Sequence, residues 1–364
     1  MPEGLVIQWL RPSSPACTDE AKDSKTMGFG AFLVTFCAGK KSPGVRGRVA
    51  PEETSFMEEE SRLRRRRRRQ KERSPMTTRR KKHLLLLSAG ALLAALAVAA
   101  LWTGLAVRIY TVPTDKLTAP VRLVLLTDLH STIHGEDQEK LVELIGEQNP
   151  DALLMVGDMA DDEVPHRGVE LLLAAVGEAY PCFYVTGNHE FWAEDTAEIL
   201  DMFRTYGVTV LQGEGAALTV RGQTLKIFGV DDPAGFDTFP GEAVSPGWTA
   251  QFDACREQLD GETFSVLLSH RPELVEVYRD SGFDLVAAGH AHGGQVRIPG
   301  ILNGLYAPNQ GFFPQYAGGL YDLEGTTLAV SRGLSISRLP RVFDRPEIMV
   351  LDLVPAPGVA RDGN

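Results

Sequence analysis

Five short segments, spread over about 165 residues, carry side chains able to hold a metal ion: Asp128-Leu129-His130, Gly157-Asp158, Gly187-Asn188-His189-Glu190, Ser269-His270 and Gly289-His290-Ala291-His292. Oxygen and imidazole donors without a cysteine thiolate suit hard or borderline ions. The set therefore points to Mn, Fe or Zn rather than to a structural zinc knuckle. Singly, each segment is a weak signal. An Asp-x-His after a strand is commonly a capped turn, and a lone histidine is more often a satisfied structural group than a ligand. Asn188 carries more, because its neutral carbonyl oxygen is an uncommon ligand and Gly187 lets backbone approach a bound group. Gly-His-x-His places two imidazoles on one side of an extended segment. Five of the eight histidines of the chain fall in these segments, and that joint placement outweighs the single readings.

Each segment follows a short apolar run: Val121 to Thr127, Ala152 to Val156, Cys182 to Thr186, Phe264 to Ser269, and Leu285 to Ala288. Runs of this length and composition read as buried strands. In open α/β sheets ligands bind in the crevice beyond the carboxyl ends of the strands, so five separate loops can meet there. Helical patterns lie between the early strands, at about Asp137 to Gln148, His166 to Glu178 and Ala193 to Tyr206, giving βαβαβ order. The rhythm then changes to hairpins, Ala217 to Val220 with Thr224 to Val230, and Leu320 to Leu323 with Thr327 to Ser331. A last strand, Ile348 to Val354, is expected to join this second sheet. The fold class is α/β: two packed mixed β-sheets flanked by helices. Asp231 to Trp248 and Pro299 to Gly319 read as long functional loops. The aromatics of the second, Tyr306, Phe312, Phe313 and Tyr316, could pack on the core or touch a membrane.

The order Asp-x-His, Gly-Asp, Gly-Asn-His-Asp/Glu, His, Gly-His-x-His resembles the calcineurin-like metallophosphoesterases over residues 121–355. Glu190, the Gly-Gly-Gln295 extension of the last block and the Ser331-Arg332-Gly333-Leu334 stretch look more like a bacterial membrane-associated or exported branch. The resemblance implies two divalent ions. One would be held by Asp128, His130 and His292, the other by Asn188, His270 and His290, with Asp158 bridging. His189 would stand beside the substrate phosphate, stabilising charge or protonating the leaving oxygen. Two such cations, roughly 3.5–4 Å apart, clamp a phosphoryl group and acidify a shared water, so hydroxide is available near neutral pH. No Ser or Cys nucleophile is needed. The implied activity is hydrolysis of a phosphodiester, pyrophosphate or phosphomonoester. Arg297, Arg332, Arg338 and Arg341 lie near the later motifs and could form a substrate patch or surface pairs.

The formal charge of -11 hides two opposite halves: 21 Lys/Arg against 10 Asp/Glu in residues 1–108, and 16 against 38 in residues 109–364. A strongly acidic domain argues against nucleic acid as substrate. Between the halves, Leu84 to Val107 is a run of 24 uncharged residues, long enough for a transmembrane helix. Arg79, Arg80, Lys81 and Lys82 precede it, and such a flank stays in the cytoplasm. The domain would then face outward, as a single-pass protein of the cell membrane acting on a phosphorylated small-molecule or lipid-linked substrate. The opposite topology would suit a lipid-precursor pyrophosphatase. A signal peptide cleaved near Ala97-Val98-Ala99, releasing a secreted domain, is the competing reading.

Residues 1–75 read as a disordered tail, and Met76, followed by basic residues and the apolar run, resembles a natural start. Residues 76–108 are the basic flank and anchor, 109–120 a linker spanning at most about 40 Å at roughly 3.3 Å per residue, 121–355 the metallophosphoesterase domain and 356–364 a tail. Cys182 and Cys255 imply no disulfide framework. Cys182 is expected to be a small core residue, although an external location would permit a bridge.

Overall fold

The structure, a computed structural model, describes residues 51–72, 76–236, 244–336 and 340–356. The rest of the expected tails, and Arg338, lie outside the described residues. Within the stretch expected to be disordered, Pro51–Glu72 is a helix, α1. Acidic residues four positions before arginines account for it: Glu60 pairs with Arg64 at 2.7 Å and Glu58 with Arg62 at 3.8 Å, an order that supports an exposed helix.

The remaining described residues form a second unit. It opens with α2 (Thr78–Ala100), whose N-cap Thr77 accepts from the Arg80 amide. α2 is long and apolar enough to cross a membrane, and none of its residues is buried. The apolar run does not stay helical to Val107. Ala106–Thr114 is β1, rich in β-branched and aromatic residues, so the first half of the stretch read as a linker at 109–120 is sheet. β1 lies on a sheet edge, where Pro113 costs no internal ladder bond.

Two six-stranded sheets follow. β2 (Val121–Leu126), β3 (Ala152–Val156), β4 (Cys182–Val185) and β5 (Thr209–Val210) run parallel in the first. The second holds β6 (Glu214–Val220), β7 (Gln223–Gly229), β8 (Phe264–Leu268) and β9 (Leu285–Ala288). Tyr306–Ala307 and Gly311–Phe312 make a separate hairpin, β10 and β11, and β12 (Gly319–Asp322) and β13 (Thr327–Val330) complete the second sheet. With β14 (Glu347–Pro355), the order is β1-β14-β2-β3-β4-β5 in the first sheet and β12-β13-β9-β8-β7-β6 in the second.

β14 (Glu347–Pro355) corrects the expectation that the last strand joins the second sheet. It lies between β1 and β2, parallel to β1 and antiparallel to β2. Its near-continuous apolar run needs cover on both faces. Met349, Leu351 and Leu353 face the space between the sheets, while Ile348 and Val350 face the helices.

The same alternation builds the whole sandwich. Leu123, Leu125, Leu154 and Val185 meet Ile227, Val266 and Leu268 between the sheets. Val124, Leu126, Met155 and Tyr184 pack outward on α3 (Glu139–Glu147), α4 (Arg167–Val176) and α6 (Thr196–Thr205). On the far side Phe228, Leu267 and Val286 pack against Trp248, Phe252 and Cys255 of α7 (Pro246–Arg256) and Tyr278 of α8 (Val275–Tyr278). Cys182 and Cys255 are free and buried, and burial pushes both thiols up to about 12. Of the four loop aromatics, Tyr316 packs beside Tyr321, but Tyr306, Phe312 and Phe313 are exposed.

Candidate metal centre

The five loops arrive at one place because sharp backbone turns end their strands. Asp128, His130, Asp158, His290 and His292 all have positive φ, between 45° and 61°. Such backbone is uncommon outside glycine and concentrates at functional sites. The loops are sewn together at main-chain level. Asp128 donates to the Gly157 carbonyl at 3.0 Å, His130 to that of Asp158 at 2.9 Å and Gly289 to that of His270 at 3.0 Å. Close approach explains two glycines. A Cβ on Gly157, which has φ +76°, would strike the His270 ring, and one on Gly187 would strike the Asp158 carboxylate. The backbone that Gly187 lets close is thus that of Asp158.

The result is three groups of possible ligands, of which two share Asp158 and the third is His130, Asp161 and His189. Asp128, His130, Asp158 and His292 bring ligand atoms within 4.8 Å of one another, and Asp158, His270 and His290 do the same. A short helix, α5 (Asn188–Trp192), delivers Asn188 and His189. Four buried atoms here have no hydrogen-bond partner: His130 Nε2, His270 Nε2, His292 Nδ1 and Asn188 Oδ1. Buried polar atoms are normally paired, and imidazole and amide groups so placed around two carboxylates are a donor set that suits a pair of divalent ions. His270 is aimed by its other nitrogen, which bonds the Val156 carbonyl at 2.8 Å. The residues present fit a binuclear divalent centre.

Charge agrees with geometry. Burial alone would raise the Asp158 carboxyl, yet His270, His130 and His189 hold it well below the usual carboxylate range. Burial opposes protonation of His270, but Asp158 and Asp128 push it up to about 10. His292 is held down to about 4 by burial, and burial with the nearby Arg271 charge holds His290 well below the ordinary histidine value. Both are neutral, as imidazole ligands must be.

The tasks of several supporting residues were not apparent from sequence. Glu190 is fully buried and accepts the amides of Gly187 at 2.7 Å and of Asp158 and Ala160 at 3.0 Å, clamping two loops together. His189 Nδ1 lies 2.6 Å from Asp162 Oδ1, and His130 Nδ1 lies 3.1 Å from Asp161 Oδ2. The only available signal was their spacing, three and four residues after Asp158. Arg271 is buried, pinned by Asp232 at 2.5 and 2.8 Å, with Nη1 3.0 Å from His290 Nε2. Of the expected arginine patch, Arg332 and Arg341 are buried in pairs with Glu347 and Asp344, and Arg297 bonds Asn303. His134 bonds the Leu334 carbonyl at 2.9 Å and stands in none of these groups.

Residues 121–294 match the family model for calcineurin-like phosphoesterases. This part of the chain is a calcineurin-like phosphoesterase domain. A metallophosphoesterase of Campylobacter jejuni is 33% identical over 246 residues, covering 65% of this chain and 60% of that protein. The match thus spans less than two thirds of that relative. A Bacillus subtilis metallophosphoesterase, YkuE, is 27% identical over 64% of this chain and 78% of its own. The Escherichia coli phosphodiesterase YaeI is 27% identical over 65% and 83%. Among solved structures, the Haemophilus influenzae NAD nucleotidase aligns at a TM-score of 0.42 and 14% identity, over 59% of this chain and 45% of that one.

Proposed function

We propose that the protein is a dimetal-dependent phosphohydrolase cleaving a phosphodiester, pyrophosphate or phosphomonoester at a membrane surface, in a membrane-associated branch of its family. The observation that carries this is Asp158, common to two groups of possible ligands, where it would bridge. Asp128, His130 and His292 would hold one ion, and Asn188, His270 and His290 the other. When bound, two Mn, Fe or Zn ions supply Lewis-acid stabilisation of phosphoryl oxygens and lower the pKa of a water. The chain's residues do the rest. Asp162 holds His189 by Nδ1, which leaves Nε2 for the substrate, and a half-exposed imidazole so held can give a proton to a leaving oxygen. Glu190 accepts the Asp158 amide and so fixes the backbone that carries the shared carboxylate. Among the described residues the arginines beside the site are buried or paired, so nothing offers a basic track for nucleic acid.

The test is hydrolysis of matched aryl phosphodiester and phosphomonoester substrates by the full chain in detergent, loaded with Mn, Fe or Zn. Turnover should disappear in Asp158→Asn together with bound metal. Equal metal content and rate in the variant would remove the bridging role.

A further inference from the structure

We propose that the domain lies against the bilayer through an apolar rim around the end of α2, so that the mouth of the metal centre opens toward the lipid surface. The inference deepens the reading of the protein as a membrane-surface phosphohydrolase, and rests on α2 as its membrane span. The partner is the headgroup and acyl boundary of a bilayer, and the substrate class it favours is a phosphate ester carried by a lipid.

Register comes first. Ala106, six residues beyond the last of α2, pairs with Glu347 of β14, while Met349 pairs with Leu125 of β2. Glu347 is thus level with Thr127, next to Asp128. The membrane helix enters the sheet at the end where the metal loops leave it, two strand spacings away, or about 10 Å. There is no slack between them, because the Phe343 amide donates to the Ala100 carbonyl at 2.7 Å.

The loop tied to that junction exposes apolar side chains, while at the junction itself Arg345 bonds the Gly104 and Leu105 carbonyls. Ile298 is 47% exposed, Ile301 83%, Phe312 71% and Phe313 69%. These residues are tied to α2 and to the site together. Val296 bridges Val342, beside Phe343, and the Leu305 amide bonds the carbonyl of Gly294, two residues after His292. Phe313 has φ 59°, an uncommon backbone for a bulky residue, and its amide holds that turn on the Leu305 carbonyl at 2.8 Å. On the other side of the junction a cavity of about 460 Å³ is lined by Gly104, Leu105, Ile133, His134, Leu144 and Ile336. It joins the end of α2 to the loop that follows His130.

Length gives an independent reason. The apolar part of α2, Leu84 to Ala100, is 17 residues, about 26 Å at 1.5 Å per residue, against a hydrocarbon core of roughly 30 Å. A short span draws flanking apolar side chains toward the interface. Exposed isoleucine and phenylalanine on a rim fixed to the helix end satisfy that demand, and water does not.

Depth in the bilayer tests this without any reference to activity. Single cysteines replace Leu96, Ile301, Phe312 or Thr224 in the full chain, with Cys17→Ser and Cys37→Ser. Buried Cys182 and Cys255 stay unlabelled. Fluorophore-labelled protein is reconstituted in phosphatidylcholine vesicles and quenched by nitroxide lipid or aqueous iodide. Thr224 is exposed beside the Arg221 turn, which bonds Pro120 at the opposite end of the sheet. Labels at 301 and 312 should be quenched by lipid severalfold more than the label at 224, and by iodide less. A label at 96 quenched by lipid, with 301 and 312 behaving as 224, overturns the rim. Shielding from both quenchers at 312 means that a second protein surface covers it, and overturns it too. No lipid quenching at 96 removes the membrane span itself, and the rim with it, while leaving the hydrolase reading untouched.

Discussion

At the scale of single residues, the centre works through pairs in which one group sets the proton on another. His189 and Asp162 are such a pair, at 2.6 Å. If His189 protonates the leaving oxygen, His189→Ala should keep its metal and lose about 10²–10⁴-fold in kcat on alkyl esters. Aryl esters, whose leaving groups need no proton, should be nearly unaffected. Asp162→Asn should fall between. An equal loss on both ester types would place His189 elsewhere in the mechanism. His270 and Asp158 are the second pair. With its pKa near 10, the metal-free imidazole is charged at neutral pH, and a metal can take that nitrogen only after the proton leaves. Metal affinity should therefore rise with pH between 6 and 8, by about tenfold per unit for one released proton. Calorimetric titration of metal into apoprotein, in buffers of different ionisation enthalpy, counts that proton directly. A count of zero would mean that His270 is already neutral.

At the scale of elements, the stretch between α2 and β2 is built into the domain rather than hung from it: β1 joins the first sheet, and the turn after it reaches the core. Leu117, in the stretch read as linker, is 1% exposed and sits in the core between the sheets. Leu117→Ala should lower the stability of the domain by about 2–5 kcal/mol, read as a shift of the urea midpoint in detergent. A linker residue would leave the midpoint unchanged. β1 was hidden from sequence because its first residues continue the uncharged run of α2, and because Pro113 argues against a strand unless the strand is known to be an edge. β14 was legible as a strand but not as a member of the first sheet. Its apolar pattern states that both faces are covered, and says nothing of which neighbours cover them. The five metal segments were legible because each follows a buried run. Asp161 and Asp162 were not, since a carboxylate in a turn has the same letters whether it faces water or a histidine. Glu190 stood in a legible segment, but its task, accepting three amides, appears only when two distant loops meet.

At the scale of the whole molecule, charge and topology have to agree. The basic cluster Arg79 to Lys82 opens α2, and the acidic domain follows its other end. The potential of a membrane leaflet rich in anionic lipid attracts the first and repels the second. Both preferences are met when the helix start is cytoplasmic and the domain is outside, where the metal loops lie close to the outer leaflet. The opposite orientation would put the acidic domain against the anionic inner leaflet and carry four basic side chains outward. Thr224→Cys, with Cys17→Ser and Cys37→Ser, should therefore react on intact cells with a maleimide that cannot cross membranes, while a cysteine replacing Thr77, ahead of the basic cluster, should react only after lysis. Reversal of the two results would turn the protein around. The same catalytic residues would then meet lipid precursors made in the cytoplasm, and a pyrophosphate linkage would become the first substrate to try.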